Sequence, residues 1–329
     1  MIGFRCDAGP LIGVGHLMRC IALAEELVGR GEDVCFLGDL GGLDWAASQL
    51  ESRKLPLKPA HLAWRLDLDA IVLDSYTLPE GEGARFRAAG IAVLAIVDGD
   101  LRGQAADVYL DQNLGAEKVP PDLPPGSVRL AGAPYVLLRD QVRSARRAAG
   151  GDVPRVLCFF GGTDAGGLVG RVVGMLAAVD APFEATVISA KPVPLPAGRA
   201  IELSPPTDHL PSLMAAADLV VTAAGSSVWE LLHLGVPSAV TFVADNQLIG
   251  YDALVSAGLA AGLGPAATIE AATPLLESLI RRPDLREPYG TAGRGLIDGR
   301  GRERVADALL AARARAVLEW SRRGMDIPQ

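Results

Sequence analysis

Short apolar runs that break off at polar residues recur along this chain, and the segments between them carry apolar residues at helical spacing. Residues 2–7 alternate Ile2, Phe4 and Cys6 with Gly3, Arg5 and Asp7, a period of two that suits a strand. From Leu17 the apolar positions 17, 20, 21, 24, 27 and 28 follow a helical period, and Arg30-Gly31 is a stop signal. "DVCFLGD" then reads as the next strand, which completes a βαβ unit. The rhythm continues through "AIVLDSY" (70–76), "IAVLAIVD" (91–98) and "DVYLDQN" (107–113), each of which stops abruptly, as buried parallel strands do.

The charged run "RDQVRSARRAAGGDVP" (139–154) interrupts this pattern, and "RVLCFFGGTDAGG" restarts it with another strand and glycine loop. A domain boundary is therefore expected near residue 150, giving domains 1–150 and 151–329. The second half alternates through "EATVIS", "DLVVTAAG" and "PSAVTFVA", with helices expected after Gly167, at His209–Ala217, after Gly225 and after Asp245. Two consecutive Rossmann-like α/β domains, each with ligand-binding loops at its strand C-termini, imply a central cleft between them. The closing segment "GRERVADALLAARARAVLEWSRR" predicts a helix whose arginines form a solvated basic face, and which can pack back on the first domain.

A length of 329 residues suits two domains, and 50% hydrophobic with 21% charged residues suits folded cores. A net charge of −8 argues against nucleic acid as a partner, although backbone amides at a helix start can still hold a small anion. Cys6, Cys20, Cys35 and Cys158 form no CxxC pair and read as reduced, buried thiols. His61, His209 and His233 have no partner at metal-ligand spacing, so neither metal nor cofactor is expected. The N-terminus does not read as a signal peptide and no span is apolar enough for a membrane helix, so a cytoplasmic protein without a membrane partner is expected.

Three glycine loops carry candidate chemistry. "GVGHLM" has Met18 where a dinucleotide fingerprint needs its third glycine, and "GGTDAGGL" has Gly167 and Leu168 where a P-loop needs lysine and serine or threonine. In "TAAGSSVWELL", Gly225 follows a strand, and Ser226 and Ser227 either cap the next helix or join its N–H groups around a diphosphate. Glu230, a turn later, is either a first-turn acid favoured by the helix dipole or an acceptor for a ribose diol. His16 stands at a helix start, where the dipole keeps an imidazole neutral and able to accept a proton, yet a lone histidine there is more often structural. Tyr76 ends a strand, where it either meets a ligand or is a boundary aromatic with a satisfied hydroxyl, and Asn246 and Gln247 follow another strand, where they either bind a sugar or cap a helix. No GxSxG elbow is present, and Cys20 sits on a core stripe rather than as a nucleophile.

Taken together, "RCDAGPLIGVGHLMRCIALAEEL", "IVLDSYTL", "DVYLDQNLG", "PYVLLRDQV", "FFGGTDAGG", "AAGSSVWELLHLGVPS", "ADNQ" and "LIDGRGRERVADAL" resemble the PseG-like UDP-sugar hydrolases of pseudaminic acid biosynthesis. These are relatives of the MurG-type glycosyltransferases with the two-domain GT-B fold. The resemblance implies His16 as general base, with Tyr76 and Asn246 around the reacting sugar and the glycines Gly13 and Gly15 bringing backbone close to it. It implies Gly161, Gly162, Thr163, Gly225, Ser226 and Ser227 near the diphosphate, Glu230 on the ribose, the backbone at Leu210 near the uracil, and Gln247 beside the sugar. Family members commonly show paired aspartates where this chain has Asp98 and Gly99. The implied reaction is hydrolysis of a UDP-linked amino sugar with inversion. The alternatives are transfer of the sugar to a small-molecule acceptor with the same base, and nucleotide-sugar binding without catalysis.

Overall fold

The structure is a computed structural model that describes residues 1–322 except Leu11, residues 119–121, Ala149, Thr163 and Ala165; for Asp245 and Asn246 only the backbone is described. The chain divides into two compact units, one of residues 1–140 with 299–329 and the other of residues 141–298. The division falls at Asp140 rather than near residue 150, because the stretch after it is tied to the second unit. There Ala148 N–H donates to the Ala215 carbonyl at 3.0 Å, and Arg147 reaches the carbonyls of Ala215 and Ala217.

In the first unit the elements run β1 (Ile2–Cys6), α1 (Gly15–Gly29), β2 (Val34–Leu37), α2 (Asp44–Ser52), β3 (Leu57–Lys58), β4 (Ala70–Asp74), α3 (Glu82–Ala88), β5 (Ala92–Ile96), β6 (Val108–Asp111) and β7 (Val128–Ala131). The strands form a seven-stranded parallel sheet in the order β3-β2-β1-β4-β5-β6-β7. β4 and β5 are buried along their whole length, which is why they read as continuous apolar runs rather than as alternations. Leu17, Ile21 and Leu27 of α1 are fully buried against this sheet, each contributing about 1.5–3 kcal/mol of burial free energy. Parallel registration sets Cys6 beside Asp74, so the polar residues that end these strands gather along one edge.

Short helix α4 (Asp140–Ser144) leads into the second unit, with β8 (Arg155–Phe159), α5 (Leu168–Ala178), β9 (Glu184–Ile188), β10 (Ile201–Ser204), α6 (Leu210–Ala216), β11 (Leu219–Ala223), α7 (Ser227–Leu234), β12 (Ser238–Phe242), α8 (Asp245–Ser256), β13 (Ala261–Pro265), α9 (Thr273–Arg281) and α10 (Pro283–Gly293). Its six strands are also parallel, in the order β10-β9-β8-β11-β12-β13.

The last helix, α11 (Gly301–Arg322), belongs to the first unit. Val305, Ala306, Leu309 and Ala312 enter its core, and an added Cβ at Gly301 would sit 2.2 Å from the Val136 carbonyl oxygen. Of the arginines expected on a solvated basic face, Arg315 and Arg322 are exposed, whereas Arg302 and Arg313 turn to acids of the first unit. Arg302 bonds Asp140 at 2.6 Å and pairs with Glu25 and Glu26 at 3.3 Å, while Arg313 takes Glu32 through both terminal nitrogens. Acids supplied from residues 25–32 and 140, far away in sequence, convert that part of the face into a docking seam.

Candidate functional site

In the first unit β1 runs into a loop closed on itself, with Gly9 N–H to Gly13 O at 3.2 Å and Gly13 N–H to Gly9 O at 2.7 Å. Gly13 has φ +80°, a conformation that glycine adopts without strain, and the tight loop sets Gly15 at the first residue of α1. No side chain caps that helix start. His16 lies one residue into it and is buried.

The surroundings of His16 form a charged cluster. Its Nδ1 lies 2.6 Å from Asp74 Oδ1, and Asp74, the last residue of β4, is fully buried. Arg19, one helical turn after His16, donates Nε to Asp74 Oδ2 at 2.6 Å and Nη2 to Oδ1. Burial pushes the Asp74 carboxyl up, but the charges of Arg19 and His16 and their hydrogen bonds outweigh it and hold the group well below the usual carboxylate range. An ionised carboxylate only accepts, so the proton in the short contact belongs to His16 Nδ1, and in the neutral ring the lone pair sits on Nε2. Asp74 thus fixes both the tautomer and the orientation of the imidazole, and Arg19 fixes Asp74.

A second layer continues along the strand ends. Asp98, two residues beyond β5, accepts from the Tyr76 hydroxyl at 2.6 Å through Oδ2, and from Asn113 Nδ2 at 3.1 Å and Arg19 Nη1 at 3.4 Å through Oδ1. Burial raises its carboxyl, but Arg19, the Tyr76 hydroxyl and Asn113 bring it below its ordinary value against a smaller push from Asp74. Asp111, at the end of β6, takes Asn113 Nδ2 at 2.9 Å and Gly99 N–H at 2.9 Å. The Tyr76 ring packs edge-on to His16 with centroids 4.7 Å apart.

Of the residues singled out in the first half of the sequence, His16 and Tyr76 are therefore brought together. Arg19, Asp74, Asp98, Arg102 and Asn113 join them without having been singled out for a role. Cys20 is fully buried with its thiol pushed well up by burial, in keeping with a core residue rather than a nucleophile. All four cysteines are free and buried. Among the described residues no three His, Cys, Asp or Glu side chains are grouped so as to hold a metal ion, and no helix is long and apolar enough to cross a membrane.

In the second unit the loops after β8, β11 and β12 lie on the C-terminal edge of three neighbouring strands. Gly161 and Gly162 turn out of β8, and Thr163 lies outside the described residues. The start of α5 is closed by its own chain, since the Asp164 carboxylate accepts from Leu168 N–H at 2.8 Å and Val169 N–H at 3.1 Å. Asp164 to alanine is expected to cost about 1 kcal/mol in urea unfolding through loss of this cap, whereas asparagine retains most of it; equal stability of the alanine variant would contradict the capping role.

At α7 the arrangement differs. Ser226 makes no side-chain capping bond, and the N–H groups of Gly225, Val228 and Trp229 donate instead to the carbonyls of Ala223, Gly225 and Ser226 at 2.8, 3.1 and 3.2 Å. Glu230 stands in the first turn of the helix. Leu210 opens α6 and is half-buried. Gln247 is engaged within its own loop, with Oε1 accepting from Val243 N–H at 2.9 Å. The side chain of Asn246 lies outside the described residues. A cavity of about 420 Å³ in this unit opens at the other end of the sheet, between the starts of β8, β9 and β10 and the end of α6, away from these loops.

Two parallel-sheet Rossmann-like units with these loops make the fold that of the GT-B glycosyltransferases. Solved structures share it. MurG of Acinetobacter baumannii has a TM-score of 0.67 at 17% identity over 94% of this chain and 99% of its own. The spinosyn forosaminyltransferase SpnP has a TM-score of 0.67 at 16% identity over 95% and 99%. The spinosyn rhamnosyltransferase SpnG, solved with thymidine diphosphate, has 0.61 at 15% over 97% and 100%. In sequence the chain is similar to the spore coat polysaccharide biosynthesis protein SpsG of Bacillus subtilis (strain 168), 25% identical over 94% of this chain and 97% of the relative. No family model matches.

Proposed function

We propose that the protein hydrolyses a UDP-linked amino or deoxy sugar, of the 2,4-diacetamido-2,4,6-trideoxyhexose type, to UDP and the free sugar with inversion. The observation that carries this reading is the buried His16–Asp74–Arg19 cluster, which presents Nε2 of an oriented imidazole as a base. Water attacks C1, its proton passes to Nε2, and the C1–O bonding pair leaves with the β-phosphate oxygen of UDP. A diphosphate leaves readily once N–H and hydroxyl donors meet its charge, so no second carboxylic acid is required. The start of α7, with Gly225 and the Ser226 and Ser227 hydroxyls, of which Ser226 makes no capping bond, is the proposed diphosphate site, with Gly161, Gly162 and Thr163 beside it, Glu230 on the ribose and the Leu210 backbone at the uracil. Gly13 and Gly15 let backbone approach the sugar, and Tyr76, Asn246 and Gln247 surround it. The similarity to a polysaccharide biosynthesis protein and to glycosyltransferases, one of them bound to thymidine diphosphate, supports nucleotide-sugar chemistry.

A second reading, transfer to a small-molecule acceptor with the same base, is favoured by one feature of the first unit. A cavity of about 360 Å³ lies on the strand edge that carries His16, lined by Leu40, Leu43 and Leu57 with Asp39 and Lys58 at its polar side. Incubation with UDP-sugars alone separates the readings. Free sugar without an acceptor is the expected result; UDP release only after an acceptor is added would move the assignment to transfer, and no release with or without acceptor would contradict both.

A further inference from the structure

Tyr76 is half-exposed, at 51% relative accessibility, yet it is held on every side that the protein reaches. His16 packs against it edge-on, and the Arg102 guanidinium lies 4.7 Å over its ring. Arg102 is itself locked in place. Nη1 donates to Ser75 O at 3.0 Å and Nη2 to Ile96 O at 2.7 Å, which ties the loop after β4 to the end of β5. Its backbone has φ +52°, a left-handed conformation that is costly for a residue with a side chain, and its N–H is fixed to Asp100 Oδ1 at 2.8 Å. Strain of this kind persists where the surroundings over-determine it, which is characteristic of ligand sites.

The hydroxyl is equally constrained. Asp98 is an anion and only accepts, so the proton in its 2.6 Å contact is that of Tyr76. Asn113 and Arg19 occupy the other carboxylate oxygen, so Asp98 does not swing away to release it. The phenolic oxygen therefore offers only lone pairs outward.

We infer that Asp98 and Arg102 are positioning residues that hold Tyr76 as a one-way hydrogen-bond acceptor, so that this side of the site selects a sugar carrying a hydroxyl or amide N–H donor near the reacting carbon. The inference rests on the proposed nucleotide-sugar reaction for its ligand and on the structure alone for its geometry. A site built around a fixed polar partner rejects an analogue lacking the matching group far more strongly than an apolar pocket rejects a missing methylene.

Two measurements test it. The first needs no substrate. In protein labelled with 13Cζ-tyrosine, the Tyr76 resonance, identified by its loss in Tyr76→Phe, is followed with pH. Burial, then the Asp98 charge and hydrogen bond, push this phenol up to about 12, so at about pH 11 it should remain mostly protonated in the parent protein and be ionised to a clearly greater extent in Asp98→Asn, which keeps the burial and loses the charge. Equal ionisation in the two proteins would overturn the Tyr76–Asp98 device.

The second uses a UDP-sugar that turns over, with each hydroxyl or acylamino group replaced in turn by hydrogen and by fluorine, which keeps an acceptor but no donor. At one position both replacements should lower kcat/KM by about 10–100-fold in the parent protein and only marginally in Tyr76→Phe. Tolerance of fluorine where hydrogen is not tolerated, or a uniform loss for all analogues in Tyr76→Phe, would overturn the acceptor assignment. If no UDP-sugar turns over, the functional reading and its sugar ligand fall together, while the first measurement still decides the geometry.

Discussion

His16 replaced by alanine should lose about 10²–10⁴-fold in turnover of the UDP-sugar while binding UDP within about twofold of the parent protein. The division of labour behind this expectation is chemical. In the proposed reaction the imidazole contributes a lone pair on Nε2 to the proton transfer and nothing to the diphosphate, which is assigned to the start of α7 with its serine hydroxyls. Loss of a proton acceptor lowers kcat and kcat/KM together, whereas loss of ground-state binding raises KM. Steady-state kinetics together with UDP titration calorimetry separate the two. A variant that turns over normally, or one that loses UDP binding and turnover in parallel, would remove His16 from the role of base.

A loss of comparable size is expected for Asp74→Asn, accompanied by a loss of stability that His16→Ala does not share. An amide cannot accept at both positions, so either Nδ1 of His16 or Arg19 faces an N–H group, and the tautomer with a free Nε2 is no longer enforced. Arg19, buried and left with one neutral amide acceptor and its longer contact to Asp98 in place of the Asp74 carboxylate, is a poorly compensated charge, and disruption of a buried pair of this kind costs about 3–5 kcal/mol. The pH dependence follows from the direction of the Asp74 shift. Its folded-state carboxyl is held far below the unfolded value of about 3.9, so the stability it contributes is complete above that value and is lost as pH falls through the folded-state one. Urea unfolding at about pH 7 and pH 3 should therefore show a wide gap between parent and variant that narrows in acid. A gap that is constant or widens in acid would contradict the assignment of Asp74 as the ionised partner.

The two units and their parallel sheets were legible because a buried parallel strand leaves an unmistakable trace, an apolar run of four or five residues flanked by turns. His16 and Tyr76 stood out for a local reason, a glycine loop before one and a strand end before the other. Asp74 and Arg19 did not, since their significance lies in a meeting across 55 residues that only the register of β1 beside β4 brings about. A signal was nevertheless present. The runs "RCD", "IVLD", "IVD" and "YLD" all end in aspartate, at Asp7, Asp74, Asp98 and Asp111, and neighbouring parallel strands place such ends in a row.

Local reading did not settle capping. Ser226, open between a cap and a ligand contact, makes no capping bond, whereas Asp164, inside a glycine loop weighed for phosphate, closes the start of α5. Which polar side chain turns back to its own helix depends on backbone angles, such as the φ +45° of Asp164, and composition does not fix those angles. The arginines of α11 show the same limit at longer range, because the acids that neutralise Arg302 and Arg313 lie more than 150 residues earlier in the chain.

The most direct test of the account is to follow turnover of a UDP-sugar in 18O-labelled water by NMR. Hydrolysis with His16 as base places the label on the anomeric hydroxyl of the released sugar, gives inverted configuration in the first-formed product and unlabelled UDP, and all three signals are lost in His16→Ala. Label in the UDP phosphate, or turnover that persists undiminished without His16, would contradict it.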